Sequence, residues 1–412
     1  MSFSSLNLSA KLVTVLTELG YCFPTQVQVE TIPAILAGDD VMVGAQTGTG
    51  KTAAFALPIL QQLSEKISVD NVETKVRFVQ ALILTPTREL ALQVHQSFVR
   101  YGKSSDLHSA IVYGGVSIDA QAAILQAGVD ILIATPGRLL DHLRRGSLTL
   151  KQLAFLVFDE ADRMLDMGFK DEIDAILKQV NPNRQTLLFS ATFDKGVFDL
   201  SHTLLRDPKR IEVGKRNAVA SKVEQRVYVV DAERKSELIC HLMRSKKWQQ
   251  VLIFIRKKQG VDKLATTLVD AGVKAEAFHG DLSQSVREKV LQQFKKGDIQ
   301  VLVATDVAAR GLDVESLEVV VNYELPFIAE DYVHRIGRTG RAGNSGIAIT
   351  LYSEEDALLL EEIEAVLDTR LPQQWLEGFE PDLTRSSMDI RKTRKSAQKQ
   401  RARRRAVGSR KQ

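Results

Sequence analysis

The chain has 412 residues, 44% of them hydrophobic and 26% charged, with a mean hydropathy of −0.09. This composition excludes a low-complexity or fibrous protein, and the length predicts two domains with a segment left over. No apolar run approaches the roughly 18 residues of a membrane helix, and the N-terminus lacks a basic segment followed by an apolar one, so we expect no membrane association and no signal peptide. The two cysteines, Cys22 and Cys240, lack the spacing of a metal site or redox pair, which favours reduced thiols in a cytoplasmic protein.

The charge is unevenly distributed along the chain. Eleven of the 55 basic residues lie in residues 391–412, which contain no acid, so residues 1–390 hold 44 bases against 51 acids and carry a net formal charge of −7. This tail has too little apolar bulk to form a core, and we expect it to be disordered in isolation. A segment of this kind binds nucleic acid nonspecifically or acts only as a solubilising end.

Residues 1–213 alternate short apolar runs with helical patterns such as 89–101 and 170–179. Apolar runs of this length between helices predict a parallel sheet covered on both faces. Ligands of such sheets bind at the carboxyl ends of the strands, so functional residues are expected directly after each run. The predicted strands are residues 41–44, 81–85, 131–135, 155–159 and 186–190.

A second α/β series follows a small polar segment, residues 214–222, which we interpret as a flexible linker. Its predicted helices include 235–243, 259–271, 285–294 and a final amphipathic helix at 354–367. The chain is therefore predicted to contain domains at 1–213 and 223–370 and a basic extension at 371–412. The strands predicted for the second domain are residues 225–230, 251–255, 275–278, 301–305, 319–322 and 347–351.

A glycine-bearing loop directly follows the first predicted strand and opens a helix. This arrangement makes a cradle for nucleotide phosphates, in which backbone N–H groups point into the turn and a lysine reaches the β- and γ-phosphates. Thr52 supplies a hydroxyl suited to Mg²⁺. The usual pattern begins with glycine, and this loop begins with alanine. Its residues are Ala45, Gln46, Thr47, Gly48, Thr49, Gly50, Lys51 and Thr52.

Adjacent carboxylates follow the fourth predicted strand, in the sequence Asp159-Glu160-Ala161-Asp162. Downstream of a phosphate loop, such a pair suits metal binding and water activation. We expect Asp159 to hold Mg²⁺ and Glu160 to orient or deprotonate the attacking water.

With these motifs in register, the chain resembles the DEAD-box RNA helicases, two-domain ATPases named for the residues at 159–162. The similarity covers residues 1 to about 370, and in this family the phosphate loop begins with alanine. The start of the chain, the compact core and the short basic tail most resemble the bacterial RhlE-like subgroup. The remaining motifs that match are Phe3 with residues 20–28, then residues 86–91, 114–115, 135–138, 190–192, 284–287, 304–313 and 334–343.

The resemblance implies two tandem RecA-like domains that use ATP and Mg²⁺. Residues 1–29 form the adenine-recognition element, in which Tyr21, Thr25 and Gln28 bind the nucleotide. A glutamine amide both donates and accepts, so Gln28 can pair with N6 and N7 of adenine and reject guanine. Tyr21 is expected to pack against the base, and Phe3 either packs there or braces the segment as ordinary core.

The second domain is expected to complete the ATP site. Arg335, Arg338 and Arg341 have three-residue spacing, which predicts one face presented to an anion. By resemblance, Arg338 and Arg341 are arginine fingers for the γ-phosphate, and Asp313 contacts the ribose of ATP. With Lys51, Asp159 and Glu160, the two fingers make up the implied catalytic set.

The implied RNA contacts use backbone amides and arginines that bind sugar and phosphate, so binding is expected to be independent of sequence. The resemblance also implies a set that couples hydrolysis to strand separation: Asp162, Ser190, Thr192 and His334. The RNA-binding residues are Thr87, Arg88, Gly115, Thr135 and Arg138 in the first domain, and Arg287, Thr305 and Arg310 in the second.

We therefore expect an ATP-dependent RNA helicase that opens short duplexes locally as its two domains close on single-stranded RNA. Two alternatives remain at this point: an ATP-gated RNA clamp or assembly scaffold, and a DNA helicase or translocase. Gln28, Asp162 and the Thr-Pro-Gly-Arg element at 135–138 oppose the DNA alternative. Recognition of 2′-hydroxyls is the physical basis on which a protein prefers RNA to DNA. The expected partner is RNA, with ribosomal precursors or RNA-decay machinery as candidate targets.

Overall fold

The computed structural model describes residues 2–45, 48–69, 77–193, 195–213, 223–309, 312, 314, 317–340 and 346–382, excluding the side chains of 67–69. The chain divides into two compact units, one ending at Gly214 and the other beginning at Lys215. This division falls in the predicted linker, residues 214–222, which lies outside the described residues. The tail from residue 383 also lies outside them.

The first unit is built on a parallel sheet in which the described residues form seven strands, in the order β3-β4-β2-β5-β6-β1-β7. The register places Val41 of β1 opposite Leu187 of β6 and Lys209 of β7. The strands are β1 Val41–Gly44, β2 Ala81–Leu84, β3 Ser109–Val112, β4 Ile131–Ala134, β5 Phe155–Phe158, β6 Gln185–Ser190 and β7 Lys209–Glu212.

Helices cover both faces of this sheet because successive strand residues point to opposite sides. Val41 and Val43 pack with Phe55 in one apolar core, whereas Met42 packs with Leu139 in the other. A 3₁₀ helix at Phe3–Leu6 joins the first core. The helices are α1 Ala10–Glu18, α2 Gln26–Leu36, α3 Lys51–Val69, α4 Arg88–Tyr101, α5 Ile118–Gln126, α6 Pro136–Arg144, α7 Ala161–Asp166, α8 Lys170–Leu177 and α9 Lys195–Leu204.

The second unit repeats this architecture with its own parallel sheet, for which the described part of the chain supplies seven strands in the order β10-β11-β9-β12-β13-β8-β14. Val251 of β9 lies opposite Val301 of β11 and Val319 of β12. The strands are β8 Val223–Val229, β9 Val251–Phe254, β10 Ala275–Phe278, β11 Val301–Ala304, β12 Val319–Asn322, β13 Gly346–Tyr352 and β14 Gln373–Gln374.

The helices of the second unit also pack on both faces of their sheet. Val261 shares a core with Val251 and Ile253, and Phe294 shares another with Leu252 and Phe254. Short 3₁₀ helices occur at Ala232–Arg234 and Glu354–Asp356. The α-helices are α10 Lys235–Lys246, α11 Lys258–Asp270, α12 Gln284–Lys296, α13 Asp306–Ala309, α14 Ala329–Ile336 and α15 Ala357–Leu367.

The core of the second unit extends past the predicted boundary at residue 370. Leu371 and Phe379 are buried among its core residues, and β14 pairs with β8. The predicted boundary is therefore too early, because the first part of the extension completes the packing of this unit.

Among the described residues, no helix is both long enough and apolar enough to cross a bilayer.

Candidate functional site

The predicted site residues of the first unit follow the carboxyl ends of its strands. The phosphate loop follows β1, Thr87 follows β2, Thr135 follows β4, and Asp159 follows β5. All these strands are parallel, so the residues that follow them lie along one edge of the sheet.

The phosphate loop is fastened to the neighbouring strand and to its own first residue. The backbone N–H of Ala45 donates to the Ser190 carbonyl at 3.0 Å. Lys51, which begins α3 and is buried, donates from Nζ to the Ala45 carbonyl at 2.7 Å. Gln46 and Thr47 lie outside the described residues. The lysine is thus held at the mouth of the loop, where an anionic group can compete for its ammonium group.

The adenine-recognition element contacts the same loop through Gln28. Its Oε1 accepts from the Thr25 N–H at 2.9 Å, and its Nε2 donates to the Gly50 carbonyl at 3.1 Å. Gly50 has a φ of +91°, and a Cβ there would lie 2.4 Å from Gln28 Nε2. The hydrogen bond from the Thr25 N–H to Gln28 Oε1 is one half of a capping box at the start of α2. Gln28 therefore joins α2 to the phosphate loop, and its pairing with adenine stays a prediction.

Tyr21 is more than one-third exposed, and its ring meets Tyr101 edge-on with centroids 6.1 Å apart. The two hydroxyls are 3.2 Å apart. Burial raises the pKa of Tyr101, and the hydrogen bond with Tyr21 raises it further, so this phenol stays neutral. Sequence reasoning did not find Tyr101, which reads as an ordinary apolar position of α4. Phe3 is buried in the core and braces the segment.

Asp159 and Glu160 lie in an unusual electrostatic and backbone environment. Burial raises the pKa of Asp159 to about 7, Lys51 opposes that shift, and Glu160 adds to it. Asp159 is 2% exposed, and its Oδ1 finds no hydrogen-bond partner among the residues described. Glu160 is buried, and its backbone adopts the left-handed conformation, with φ of 57° and ψ of 54°. A non-glycine residue bears a strain of order 1–3 kcal/mol there, which is typical of functional positions.

These residues fit a magnesium ion by donor type and by the orphaned Asp159 oxygen. Carboxylate and hydroxyl oxygens are ligands that Mg²⁺ accepts, and Thr52 follows Lys51 in the first turn of α3. Within the described ranges, no group of three or more His, Cys, Asp or Glu side chains could hold a metal. An ion held by Thr52 and Asp159 would take its other ligands from water and substrate phosphates, as Mg²⁺ commonly does.

Asp162 ties the carboxylate motif to the segment after β6. Its Oδ2 accepts from the Ala191 N–H at 3.2 Å, the Thr192 N–H at 3.0 Å and the Thr192 hydroxyl at 3.1 Å. Ser190 Oγ donates to the Thr192 carbonyl at 2.7 Å. Three of the predicted coupling residues therefore form one network, which continues to the phosphate loop through the Ser190 carbonyl.

Arg88 and Gly115, two of the predicted RNA contacts, lie against each other beside β2, and Thr87 directly precedes Arg88. Thr87 is the N-cap of α4, and its Oγ1 accepts from the Leu90 N–H at 3.3 Å. Gly115 has a φ of +87°, and a Cβ on it would lie 2.1 Å from Arg88 Nη1. The absence of a side chain at Gly115 thus makes room for the Arg88 guanidinium.

Arg138 is part of α6, and its side chain contacts the loop that contains Gly115. Its Nη1 and Nη2 each donate to the Val116 carbonyl at 3.0 Å, and Nη1 also donates to Gln121 Oε1 at 2.8 Å. Thr135 is the N-cap of α6 at the carboxyl end of β4. The predicted RNA contacts of the first unit therefore share one edge with the phosphate loop. Gln121 was missed by the sequence analysis, because a glutamine in an amphipathic helix usually faces solvent.

In the second unit, Arg335 is a structural side chain. It is 2% exposed, lies 5.0 Å above the Phe254 ring and makes a two-pronged contact with Asp306 at 2.6 and 2.7 Å. It also donates to Asn322 Oδ1 at 3.1 Å and to the Glu324 carbonyl at 2.7 Å. The prediction that Arg335 shares an anion-facing surface with Arg338 and Arg341 is wrong for Arg335, because its donors are used inside this unit.

Arg338 is buried, and its Nη1 donates to the Leu312 carbonyl at 3.0 Å. Arg341, Asp313 and Arg310 lie outside the described residues. The assignment of arginine fingers and of a ribose contact stays a prediction.

The described RNA-contact candidates of the second unit gather around Phe278. The Arg287 guanidinium lies 4.9 Å from the ring centroid, and the Thr305 N–H donates to the Phe278 carbonyl at 3.3 Å. Thr305 Oγ1 accepts from the Ala308 N–H at 3.4 Å at the start of α13. His334, predicted to couple hydrolysis to unwinding, is half-buried on α14.

Family models match both units of the chain. A DEAD/DEAH box helicase model matches residues 25–200, and a helicase conserved C-terminal domain model matches residues 234–343. These two ranges contain the phosphate loop, the carboxylate motif and the arginine motif up to residue 343.

Several bacterial proteins are similar along most of this chain. The ATP-dependent RNA helicase DbpA of Escherichia coli is 44% identical over 375 residues, which is 90% of this chain and 80% of that protein. The ATP-dependent RNA helicase DeaD of Mycobacterium tuberculosis is 42% identical over 380 residues, or 92% of this chain. The chain spans 66% of the length of that mycobacterial relative.

Solved structures show the same fold. Saccharomyces cerevisiae Dbp5 bound to RNA and ADP BeF3 aligns with a TM-score of 0.78 at 26% identity, covering 97% of this chain and 99% of the chain in that structure. A DEAD box protein from Methanococcus jannaschii aligns with a TM-score of 0.52 at 39% identity, covering 92% of this chain and 99% of the other. The two parallel sheets are thus the tandem RecA-like domains that the resemblance implied. Together, these matches show that the chain belongs to the DEAD-box ATP-dependent RNA helicase family.

Proposed function

We propose that this chain is an RNA-stimulated ATPase that opens short RNA duplexes locally and remodels RNA or ribonucleoprotein. The observation that carries this proposal is the Asp162 network, in which one carboxylate binds the N–H groups of Ala191 and Thr192 while Ser190 accepts from the phosphate loop. A change at the nucleotide therefore has a short, hydrogen-bonded route to the segment after β6.

ATP is held by residues of the first unit. Gln28, Tyr21 and Thr25 select adenine. The Lys51 ammonium group, which donates to the Ala45 carbonyl, instead binds the phosphates when ATP is present. Thr52 and Asp159 would hold a magnesium ion, which when bound would neutralise charge on the phosphate oxygens. Glu160 orients the attacking water and accepts its proton, and its fixed backbone limits the directions in which the carboxylate can point.

RNA binds along the same edge through sugar and phosphate. Backbone amides at helix starts and arginines suit phosphates without reading bases, so binding is independent of sequence. Thr87 and Arg88 open α4, and Thr135 and Arg138 open α6. The similar structure of Dbp5 was solved bound to RNA and ADP BeF3, which supports the binding of both kinds of ligand by this chain.

Joint binding of ATP and RNA closes the two units on each other. Closure brings Arg338 and Arg341 to the γ-phosphate, and arginine fingers of this kind contribute roughly 10³–10⁵ in rate in related hydrolases. The closed form bends the bound strand so that a duplex cannot follow, and hydrolysis then reopens the cleft. The RhlE-like subgroup, the cytoplasmic location and the ribosomal or RNA-decay targets remain predictions of the sequence.

The test measures ATP turnover and displacement of a short RNA duplex for the full chain, with Lys51→Ala and Glu160→Gln. Both variants are expected to lose RNA-stimulated turnover. The control is Lys151→Ala, which removes the same charge from an exposed position away from the loop. Retained RNA-stimulated hydrolysis in either active-site variant would contradict the assigned chemistry.

Two further results separate the alternatives. ATP-dependent binding of RNA without strand displacement would support the alternative of an ATP-gated RNA clamp. Equal stimulation by a DNA strand of the same sequence would support a DNA translocase, because a 2′-hydroxyl reader prefers RNA.

A further inference from the structure

A buried hydrogen-bond cluster lies behind the predicted RNA contacts of the first unit, with Gln121 of α5 at its centre. Gln121 is 6% exposed, and its Nε2 donates to the Tyr113 carbonyl at 3.1 Å. Its Oε1 lies 2.8 Å from Arg138 Nη1 and 3.2 Å from His142 Nε2. One side chain therefore joins the end of β3, the start of α6 and the interior of α6.

The chemistry of the partners fixes how this cluster is protonated. A backbone carbonyl accepts only, so the amide nitrogen of Gln121 must face Tyr113 and its oxygen must face Arg138. That oxygen can only accept, so His142 carries its proton on Nε2. Burial lowers the pKa of His142, and the nearby Arg138 and Arg145 lower it further, so the ring is neutral. Each of the three contacts of Gln121 then pairs a donor with an acceptor in a single arrangement, and His142 Nδ1 finds no hydrogen-bond partner among the described residues.

The cluster sets the shape of the turn at residues 113–116. Gln121 holds the Tyr113 carbonyl at one end of the turn, and Arg138 holds the Val116 carbonyl at the other. Gly115 lies between them at a φ of +87°, a conformation that glycine adopts without strain but does not prefer over its others. The two side chains thus restrict a turn that its own sequence leaves free.

We propose that Gln121 is a positioning residue for RNA binding, which holds the 113–116 turn and Arg138 in one preformed arrangement. This inference rests on the proposed function, because it assigns the turn and Arg138 to the RNA surface. A preformed surface loses less conformational entropy when it orders around a strand, so RNA affinity depends on the cluster although Gln121 itself touches no RNA.

The test uses the full chain, single-stranded polyuridylate and the RNA concentration that gives half-maximal ATPase stimulation. Gln121→Leu keeps the side-chain volume and removes both polar ends. It is expected to raise the half-maximal RNA concentration roughly tenfold, the equivalent of one hydrogen bond to a charged group, without a matching rise in the KM for ATP. Gln121→Glu keeps an acceptor for Arg138 and His142, so its effect should be smaller than that of Gln121→Leu.

Combination with Arg138→Ala distinguishes positioning from general destabilisation. If Gln121 acts through Arg138, Gln121→Leu should add little to the RNA defect of Arg138→Ala. The matched control is Gln185→Leu, because the Gln185 amide likewise donates to backbone carbonyls, those of Ile35 and Asp39, but lies at the amino end of β6, away from the edge that holds the predicted RNA contacts. Gln185→Leu should lower the melting temperature and leave the half-maximal RNA concentration unchanged.

Three results would overturn the proposal. These are a wild-type RNA response in folded Gln121→Leu, additive effects of the two substitutions, and, where Gln121→Leu does not fold, an RNA response of Gln121→Glu equal to that of wild type. If RNA fails to stimulate the unmodified chain, the proposed function fails together with this inference. A stimulated wild type with unaffected Gln121 variants overturns this inference alone.

Discussion

Single buried polar side chains hold the functional edge of the first unit together. Gln28 bridges α2 and the phosphate loop, Asp162 bridges α7 and the segment after β6, and Gln121 bridges α5, α6 and the turn after β3. Each is under 5% exposed except Gln121, at 6%. A buried polar group without its partner costs about 1–3 kcal/mol, so these bridges fix the geometry at the edge.

Asp162→Asn is expected to reduce strand displacement per ATP hydrolysed by roughly tenfold, since a hydrogen bond to a charged group contributes about 1.5–3 kcal/mol. The carboxylate uses both oxygens, with Oδ1 accepting from Arg163 N–H and Oδ2 from the 191–192 segment. An amide offers only one acceptor oxygen, so one of these connections is lost. The measurement is the ratio of displaced duplex to released phosphate.

Asp174→Asn makes the same chemical change on the exposed Lys170 pair of α8, and it should leave that ratio unchanged. An unchanged ratio in Asp162→Asn would show that the network does not transmit coupling.

The sequence identified the types of residue at the site but not their partners. Gln28, Lys51, Asp159 and Asp162 were named from motifs, since strand-end carboxylates and glycine loops have local signatures. The bond from Asp162 to Thr192 spans 30 residues, and no local pattern encodes it. Gln121 carries no local signal, because its role comes from an arginine 17 positions away.

At the scale of elements, the phosphate loop depends on glycines with positive φ. Gly50→Ala is expected to raise the KM for ATP severalfold, because the new Cβ would displace Gln28 Nε2 and remove a hydrogen bond of about 1 kcal/mol. The left-handed conformation adds a strain of about 1–2 kcal/mol, which lowers the melting temperature.

Gly38→Ala is the matched control for this substitution. Gly38 has a φ of +90°, and a Cβ on it would meet nothing within 4 Å. It should therefore show the loss of stability without the change in KM. Equal KM values for ATP in the two variants would show that displacement of Gln28 does not affect nucleotide binding.

Central strands were predictable from sequence, whereas three of the four edge strands described were not. The predicted runs at 41–44 and 319–322 coincide with the central strands β1 and β12, and the run at 275–278 coincides with the edge strand β10. β7 lies at an edge of the sheet and has one buried residue, Ile211, so it lacks the continuous apolar run that marks a strand covered on both faces. β3 and β14 lie at edges too, and the same lack of a continuous apolar run left both out of the predicted strands.

At the scale of the whole molecule, each unit has cores made only of its own residues, so each can fold alone. A fragment of residues 1–213 is expected to bind ATP but to lose at least about 10³ of the RNA-stimulated rate, because it lacks the arginines of the second unit. Circular dichroism and nucleotide binding check that the fragment is folded. A fragment that hydrolyses ATP at the RNA-activated rate of the full chain would refute the two-unit site.

The basic tail has a separate electrostatic signature. Deletion of residues 391–412 removes eleven positive charges and is expected to weaken RNA binding most at low salt. For single strands, log K changes by about −0.7 per contacted phosphate for each unit of log salt, so the truncated chain should show a shallower slope. RNA titrations over a range of salt check this, with the unstimulated ATPase as the internal control. An unchanged slope would exclude the tail as a tether.

The left-handed backbone at Glu160 lowers the stability of the fold at a residue that we assign to catalysis. Glycine would adopt that conformation without the penalty of about 1–2 kcal/mol that an L side chain bears, so heat resistance alone would favour glycine at this position. The chain keeps the carboxylate that we assign to water activation. Directed evolution for thermostability would therefore drift toward inert variants at residue 160, and a library from this scaffold needs a turnover assay at every round.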